Sequence, residues 1–517
     1  MNIILPLLFF VSVFSYSQEM TDTHILPKWL YTLCALAIIV IVESFRLLKG
    51  KRTKLNERGI FAFVLVLCFC QSVYAIAQFI GLLPSPFSFQ VIGSFDNPAG
   101  LSACLNTGVP CCFYFLNTDI RSKIRWIAGG CLLLIVVGLL LSGSRAGLLA
   151  AIIVSLCWGY RFLKKKYVRM IVAALSIGLL IGMYFVKKDS ANGRLLMLQC
   201  GWEMIKERPI TGYGTNGVAA HYMDYQAQWL SEHPDSRLCM LADNVKHVFN
   251  EYLAIGIRYG LVGIFILIGF IFLSIYSYRK SPSEEGRCAM LSLIGIAVLA
   301  CFSYPFTYPF TWLVLLLDAY ILFRRAFSSP VVRNNTKRCL LVTCVLIASC
   351  ILLLKVVLRI DAELKWAKVA QISLTENKED IFSGYQNLMQ ILGREPYFLY
   401  NYAAELYIAQ HYEEALDLAK RCRIYWADYD LELLQGDIFY KLGRYEEAER
   451  HYLLASQMCP VRFIPLYKLY TLYQAKGETE KINDMGNIIL SKPVKVNSIM
   501  IQSIKKQIKK DLRGNEI

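Results

Sequence analysis

Lys246-His-Val-Phe-Asn-Glu-Tyr-Leu-Ala-Ile-Gly-Ile-Arg-Tyr-Gly-Leu-Val-Gly263 runs without a break into Ile264-Phe-Ile-Leu-Ile-Gly-Phe-Ile-Phe-Leu-Ser-Ile-Tyr-Ser-Tyr278. The second half has the composition of a membrane helix, for which about 20 mainly apolar residues suffice. The first half leads His247, Asn250, Glu251 and Arg258 up to it. Read as a helix, His247 and Glu251 stand four residues apart on one face, and Arg258 returns to that face further on. Ionisable groups entering a bilayer are costly, so a cluster of them marks a functional site by default.

The same apolar pattern recurs outward from here. Runs fall near 29–48, 59–83, 99–117, 126–142, 146–163, 170–186, 261–278, 288–304, 309–323 and 339–358, with a shorter one at 3–17. No basic stretch precedes 3–17, which favours a first membrane helix over a signal peptide. The chain has 517 residues, 56% hydrophobic and 18% charged. It is predicted to be all-α: a polytopic membrane helix bundle of about 10–11 spans, then a soluble α-solenoid.

The net charge is +16, and its placement is informative. Lys49, Lys51, Arg52, Lys54 and Arg58 fill one short loop; Arg121, Lys123 and Arg125 fill another. Further basic clusters stand at 161–169, 279–287 and 324–338, alternating with poorly charged turns at 84–98, 142–145 and 305–308. The positive-inside rule puts every basic loop in the cytoplasm. Charges that flank membrane segments are not a continuous nucleic-acid footprint, so no nucleic-acid partner is expected. The loop 187–246 and everything after 358 then lie outside the cytoplasm, in the periplasm of a bacterium with two membranes. The expected address is the bacterial inner membrane, multi-pass, with residues 1–358 as membrane domain and 359–517 as periplasmic repeat domain.

Thirteen of the seventeen cysteines lie in apolar runs, where cysteine acts as a small hydrophobe. Cys200 and Cys239 share the exported loop, and a disulfide between them is open. Cys111-Cys112 and the Cys68/Cys70 pair lack His or Cys partners at ligand spacing, so neither metal nor cofactor is expected.

The chain beyond 359 repeats itself. Tyr407-Ile-Ala-Gln-His-Tyr-Glu-Glu-Ala-Leu, Tyr440-Lys-Leu-Gly-Arg-Tyr-Glu-Glu-Ala-Glu and Tyr473-Gln-Ala-Lys-Gly-Glu-Thr-Glu-Lys-Ile start 33 residues apart. This resembles the tetratricopeptide repeat, a helix–turn–helix unit. Small residues such as Ala415 and Ala448 let the paired helices approach. A weaker unit is expected at 362–396, and a capping helix or a disordered tail from Lys505. Stacked units make a concave surface, so a protein partner there stands beside the alternative of a passive solenoid.

Four outward elements carry the candidate chemistry. Gly93-Ser-Phe-Asp-Asn-Pro-Ala-Gly100 is a turn containing Asn97. Ser142-Gly-Ser-Arg-Ala-Gly147 places Arg145 on the side where positive charge is scarce, which points to an anionic ligand. The stretch 194–206 reads as an amphipathic helix carrying Arg194 and Trp202, stopped by Pro209 and turned at Gly212 and Gly214. The fourth element is 246–263. Together they describe a site at the outer membrane face with two arginines and a base. Arginines can neutralise a diphosphate leaving group as a metal would, and Glu or His can take a proton from an acceptor hydroxyl.

These motifs, in this order, resemble the O-antigen ligase and O-antigen polymerase family of bacterial membrane glycosyltransferases over roughly residues 60–320. The resemblance implies a C-type glycosyltransferase membrane fold. It also implies metal-independent, inverting transfer of a glycan from undecaprenyl diphosphate. By position, Arg145 and Arg194 would contact the diphosphate, with Asn97, Trp202, Asn250 and Arg258 as further substrate-binding residues. The family commonly has His before the Asn of its last motif; here that place holds Phe249. His247 and Glu251 are therefore the catalytic candidates. The acceptor stays open between lipid A core, as in lipopolysaccharide biosynthesis, a growing polysaccharide, and protein, as for an O-oligosaccharyltransferase. A polyprenyl-glycan transporter and a membrane-anchored repeat scaffold are the alternatives from other classes.

Overall fold

The computed structural model describes residues 4–49, 55–162, 178, 188–327, 335–372 and 378–514. The expected span at 170–186 and the basic residues Lys51, Arg52, Lys54, Lys164, Lys165, Lys166, Arg169 and Arg333 fall outside them, Gly178 apart. The described residues form helices joined by turns, with no strand among them. The protein is an all-α, multi-pass membrane protein.

Helices α1 (Ile4–Phe14), α2 (Ile25–Leu48), α3 (Glu57–Phe79), α4 (Pro98–Thr118), α5 (Ser122–Ser142) and α6 (Arg145–Gly159) come first. After α7 (Lys188–Glu207) and α8 (Gly217–Glu232) follow α9 (Glu251–Lys280), α10 (Glu284–Phe302), α11 (Pro309–Ala326) and α12 (Asn335–Ile372). Among the described residues, seven helices are long and apolar enough to cross a membrane: α2, α3, α4, α5, α9, α10 and the Cys339–Ile372 part of α12. α1 and α6 are apolar but shorter.

The chain divides into two compact units. The first holds Met1–Phe185, Phe249–Tyr252 and Phe265–Lys368. Its centre is α4, which packs against α3, α5, α6, α10 and α11. Small and weakly polar residues allow that approach: a Cβ on Gly108 would lie 2.7–2.9 Å from Ile135 and Cys68 atoms. α1 belongs to this core, with Phe9 edge-on to Phe310 at 5.8 Å. Lys28 caps its C-terminus by donating to the carbonyls of Val13 (2.6 Å) and Ser15 (2.8 Å). At the basic end of the bundle, Glu57 pairs with Arg324 and Arg325, Glu285 with Arg325, and Asp119 with Arg58. Glu57 and Glu285 at helix starts and Arg324 and Arg325 at a helix end also suit the helix dipoles.

The second unit holds Val186–Val248, Leu253–Ile264 and Val369–Ile517. Three helical hairpins follow α13 (Lys378–Leu392): α14 (Pro396–Ile408) with α15 (Tyr412–Arg423), α16 (Tyr429–Lys441) with α17 (Tyr445–Met458), and α18 (Ile464–Lys476) with α19 (Thr479–Ser491). Their tight turns take positive φ at Gln410, Gly443 and Gly477, which explains the glycines at two of the three. Ala415 and Ala448 are fully buried where the paired helices meet. The tail forms α20 (Ile499–Gly514), burying Ile504 and Ile508, so it is a helix and not a disordered end. Cys200 and Cys239 are both free thiols, and the disulfide open to them is not formed.

Candidate functional site

In the first unit, the turns opposite the basic end are built from inside the bundle. Two buried glutamines of α3 hold the loop before α4. Gln78 Oε1 accepts from the amides of Ile92 (3.0 Å) and Gly93 (2.8 Å). Gln71 Oε1 accepts from Ser94 N at 3.1 Å, and its Nε2 donates to Ser94 Oγ at 2.8 Å. Asn97 caps α4, its Oδ1 accepting from Ala99 N at 2.9 Å. Asp96, not singled out from sequence, accepts from Tyr308 Oη at 2.8 Å. Burial raises its carboxyl above the usual range against that hydrogen bond.

The Ser142–Gly147 turn is equally determined. Gly143 sits at φ 63, and Ser144 caps α6 by accepting from Gly147 N at 3.2 Å. Asn106 of α4 donates to the carbonyl of Gly147 at 3.0 Å. Arg145 is thereby fixed as the first residue of α6 and is half-buried. A cation in a first helical turn opposes the helix dipole by about 0.3–1 kcal/mol. Guanidinium and helix terminus together concentrate positive potential, which suits an anion.

Asn250 and Glu251 stand in this unit as well. Asn250 Nδ2 donates to Cys301 O at 3.2 Å, and Glu251 Oε1 accepts from Phe306 N at 3.2 Å. Phe249 lies edge-on to Tyr304 at 5.1 Å. Ala146, next to Arg145, packs with Ala103, Val298 and Leu299, so both elements meet the same end of α10. The turn between α10 and α11 also holds Tyr308, the partner of Asp96.

One expectation is corrected. The helix begins at Glu251, and His247 precedes it in non-helical chain. Phe249 takes φ 50, which interrupts any helix running back to His247. The helical face that was to join His247 with Glu251 does not exist.

Arg194, Trp202, His247 and Arg258 fall in the second unit. α7 matches the expected amphipathic helix: Leu196, Cys200 and Met204 are buried while Trp202 is exposed. It crosses the start of α9 closely, for a Cβ on Gly201 would lie 2.8 Å from Leu253, and one on Gly256 2.7 Å from Ile205. Burial, then Arg258 and Lys246, lower the His247 imidazole to about 4, so it is neutral at pH 7.

α9 is broken at Gly260, where φ is 57 and ψ −148. The turn after α7 inserts there, backbone to backbone. Tyr213 N donates to Ile257 O (2.9 Å) and Gly214 N to Arg258 O (2.8 Å). In return Leu261 N donates to Pro209 O (2.7 Å) and Val262 N to Ile210 O (3.3 Å). The carbonyls and amides that a broken helix exposes are thus satisfied by protein. The signal was present in Arg208-Pro-Ile-Thr-Gly-Tyr-Gly214 and Arg258-Tyr-Gly-Leu-Val-Gly263, each glycine-rich, but not that one seats on the other.

Residues 130–268 match the family model described as O-antigen ligase. That segment includes every nominated residue except Asn97. No curated protein matches the chain.

Proposed function

We propose that the O-antigen ligase family segment at residues 130–268 makes this membrane protein a glycosyltransferase that moves a glycan from undecaprenyl diphosphate to an acceptor on the periplasmic side. The observation that carries the reading is Arg145 in the first turn of α6, which meets the end of α10 to which Asn250 is bonded, with Glu251 bonded to Phe306 in the turn that follows. Cationic charge beside a helix N-terminus favours a diphosphate.

In the reaction, the bond from the sugar's anomeric carbon to the diphosphate oxygen breaks. The acceptor hydroxyl oxygen forms the new bond from the opposite face. Its proton passes to Glu251 or to neutral His247, and undecaprenyl diphosphate leaves with its added negative charge. Arg145 and Arg194 stabilise that charge as it develops. Asn97, Trp202, Asn250 and Arg258 are assigned to substrate binding. The hairpins are assigned to the tetratricopeptide class.

Transfer by the purified protein from an undecaprenyl-diphosphate glycan tests the site. Arg145→Ala, Arg194→Ala and Glu251→Ala should each lower the rate by about 100-fold or more, the cost typical of losing one stabilising group. Wild-type rates from all three would refute the assignment. Glycan profiles of a deletion strain identify the acceptor: polymer stranded on the carrier means a ligase, single repeats a polymerase, and lost glycoprotein staining a protein acceptor.

A further inference from the structure

A repeat surface is ordinarily read as a place for another protein. Here the part formed by α15, α16 and α17 is occupied by the chain's own α8. Tyr222, Met223 and Ala227 of α8 share one apolar core with Tyr429, Ala455 and Met458 of the hairpins. Polar contacts fix the register around it. Arg423 donates to Asp224, to the carbonyl of Ala220 (3.3 Å) and to Glu432 (2.6 Å). Gln226 Nε2 donates to the carbonyls of Asp243 (3.0 Å) and Met458 (2.8 Å). Ala427 N donates to Ala219 O at 2.8 Å, and Asn244 Nδ2 to Asp428 Oδ2 at 2.8 Å. Gln226, Glu432 and Asp428 are at most 2% exposed. Buried polar groups matched in this way specify one arrangement, since each would be costly unpaired.

We infer that the repeats act in cis, gripping α8 so that the 208–214 turn stays seated in the break of α9, with Arg423 as a positioning residue. The linkage is short. Asn216, two residues beyond Gly214, donates to Tyr425 O of the repeat domain at 2.6 Å. Gly217 N donates to Gly214 O at 3.0 Å, and α8 begins at Gly217. Whatever shifts α8 therefore pulls on the amides of Tyr213 and Gly214 that bond to α9. The functional consequence rests on the proposed transfer reaction, but the mechanical one does not. Removing the repeats would strip an apolar face from the outer segment, so truncation tests more than an anchor.

The test is hydrogen exchange on the full-length protein in nanodiscs, read together with transfer kinetics. In Arg423→Ala, exchange at Tyr213 and Gly214 should speed up by about tenfold or more, since charge-assisted bonds are lost. Exchange in α19 and α20 should stay unchanged. Arg423→Lys, which keeps the charge, should recover part of the protection, and kcat should fall with the loss of protection while KM for the donor changes less. Should Arg423→Ala fail to fold, Asp224→Asn carries the same expectation in weaker form. Unchanged exchange at Tyr213 and Gly214 in the folded variants overturns the inference. Faster exchange in a protein whose wild type shows no transfer upholds the grip and overturns the proposed reaction alone.

Discussion

Replacing Gly260 by alanine attacks the join between the 208–214 turn and α9. Its φ of 57 with ψ −148 belongs to a region that only glycine occupies readily, and forcing a side chain there costs about 1–3 kcal/mol. A Cβ would also stand 2.5 Å from the carbonyl oxygens of Pro209 and Ile210. Carbon and oxygen settle no closer than about 3.3 Å, so the turn must retreat. That breaks the bonds from Leu261 N to Pro209 O and from Val262 N to Ile210 O, at about 0.5–1.5 kcal/mol each. The total is about 2–6 kcal/mol of local stability. Hydrogen exchange should show the amides of Tyr213, Gly214, Leu261 and Val262 at least about 30-fold faster, the lower bound of that range. Gly269→Ala is the control on the same helix, because a Cβ there meets nothing within 4 Å. Equal exchange in the Gly260 and Gly269 variants would mean that the turn is not seated on the break.

Three further outcomes are expected. Gln78→Ala leaves the buried amides of Ile92 and Gly93 without their acceptor, costing about 1–3 kcal/mol each; a thermal melt within a degree of wild type would contradict the Gln78 anchor. Two groups should give opposing pH dependence. His247 is lowered to about 4 from an ordinary 6.5, so the unfolded chain binds its proton more readily and stability rises with pH across that window. Burial pushes Asp428 up to about 6 from an ordinary 3.8, so the folded state holds that proton and stability falls as pH rises across its window. Relative to wild type, the melting temperature of Asp428→Asn should therefore climb more steeply between about pH 4 and 6, and that of His247→Gln less steeply; parallel curves would contradict both shifts. Lastly, Arg145→Lys should recover only part of the transfer lost in Arg145→Ala, because ammonium lacks the two-pronged contact of guanidinium. Full recovery would mean charge alone is used.

The helices were legible because their signal is local. Apolar runs of bilayer length became α2, α3, α4, α5, α9, α10 and α12, and the Tyr407, Tyr440 and Tyr473 stretches fall at the turns of three helical hairpins. The failure at 247–251 was also local. Asn250 before Glu251 spells a helix start, and carrying the helical period back through it joined two residues that Phe249 separates. What sequence could not show is contact between distant segments. Nothing in Arg208–Gly214 says that it will donate to and accept from the backbone at 257–262, and nothing in Ala219–Gln226 names Arg423 or Met458 as partners. Asp96 lay inside a quoted motif, yet its significance depends on Tyr308, more than two hundred residues away.

The proposed transfer depends most on the diphosphate as leaving group. Purified protein in nanodiscs should be given an undecaprenyl-diphosphate glycan and an acceptor, and the lipid products followed by mass spectrometry. Release of undecaprenyl diphosphate in step with glycosylated acceptor is the expected result. An intact donor, or a donor that disappears while no acceptor gains sugar, would contradict it.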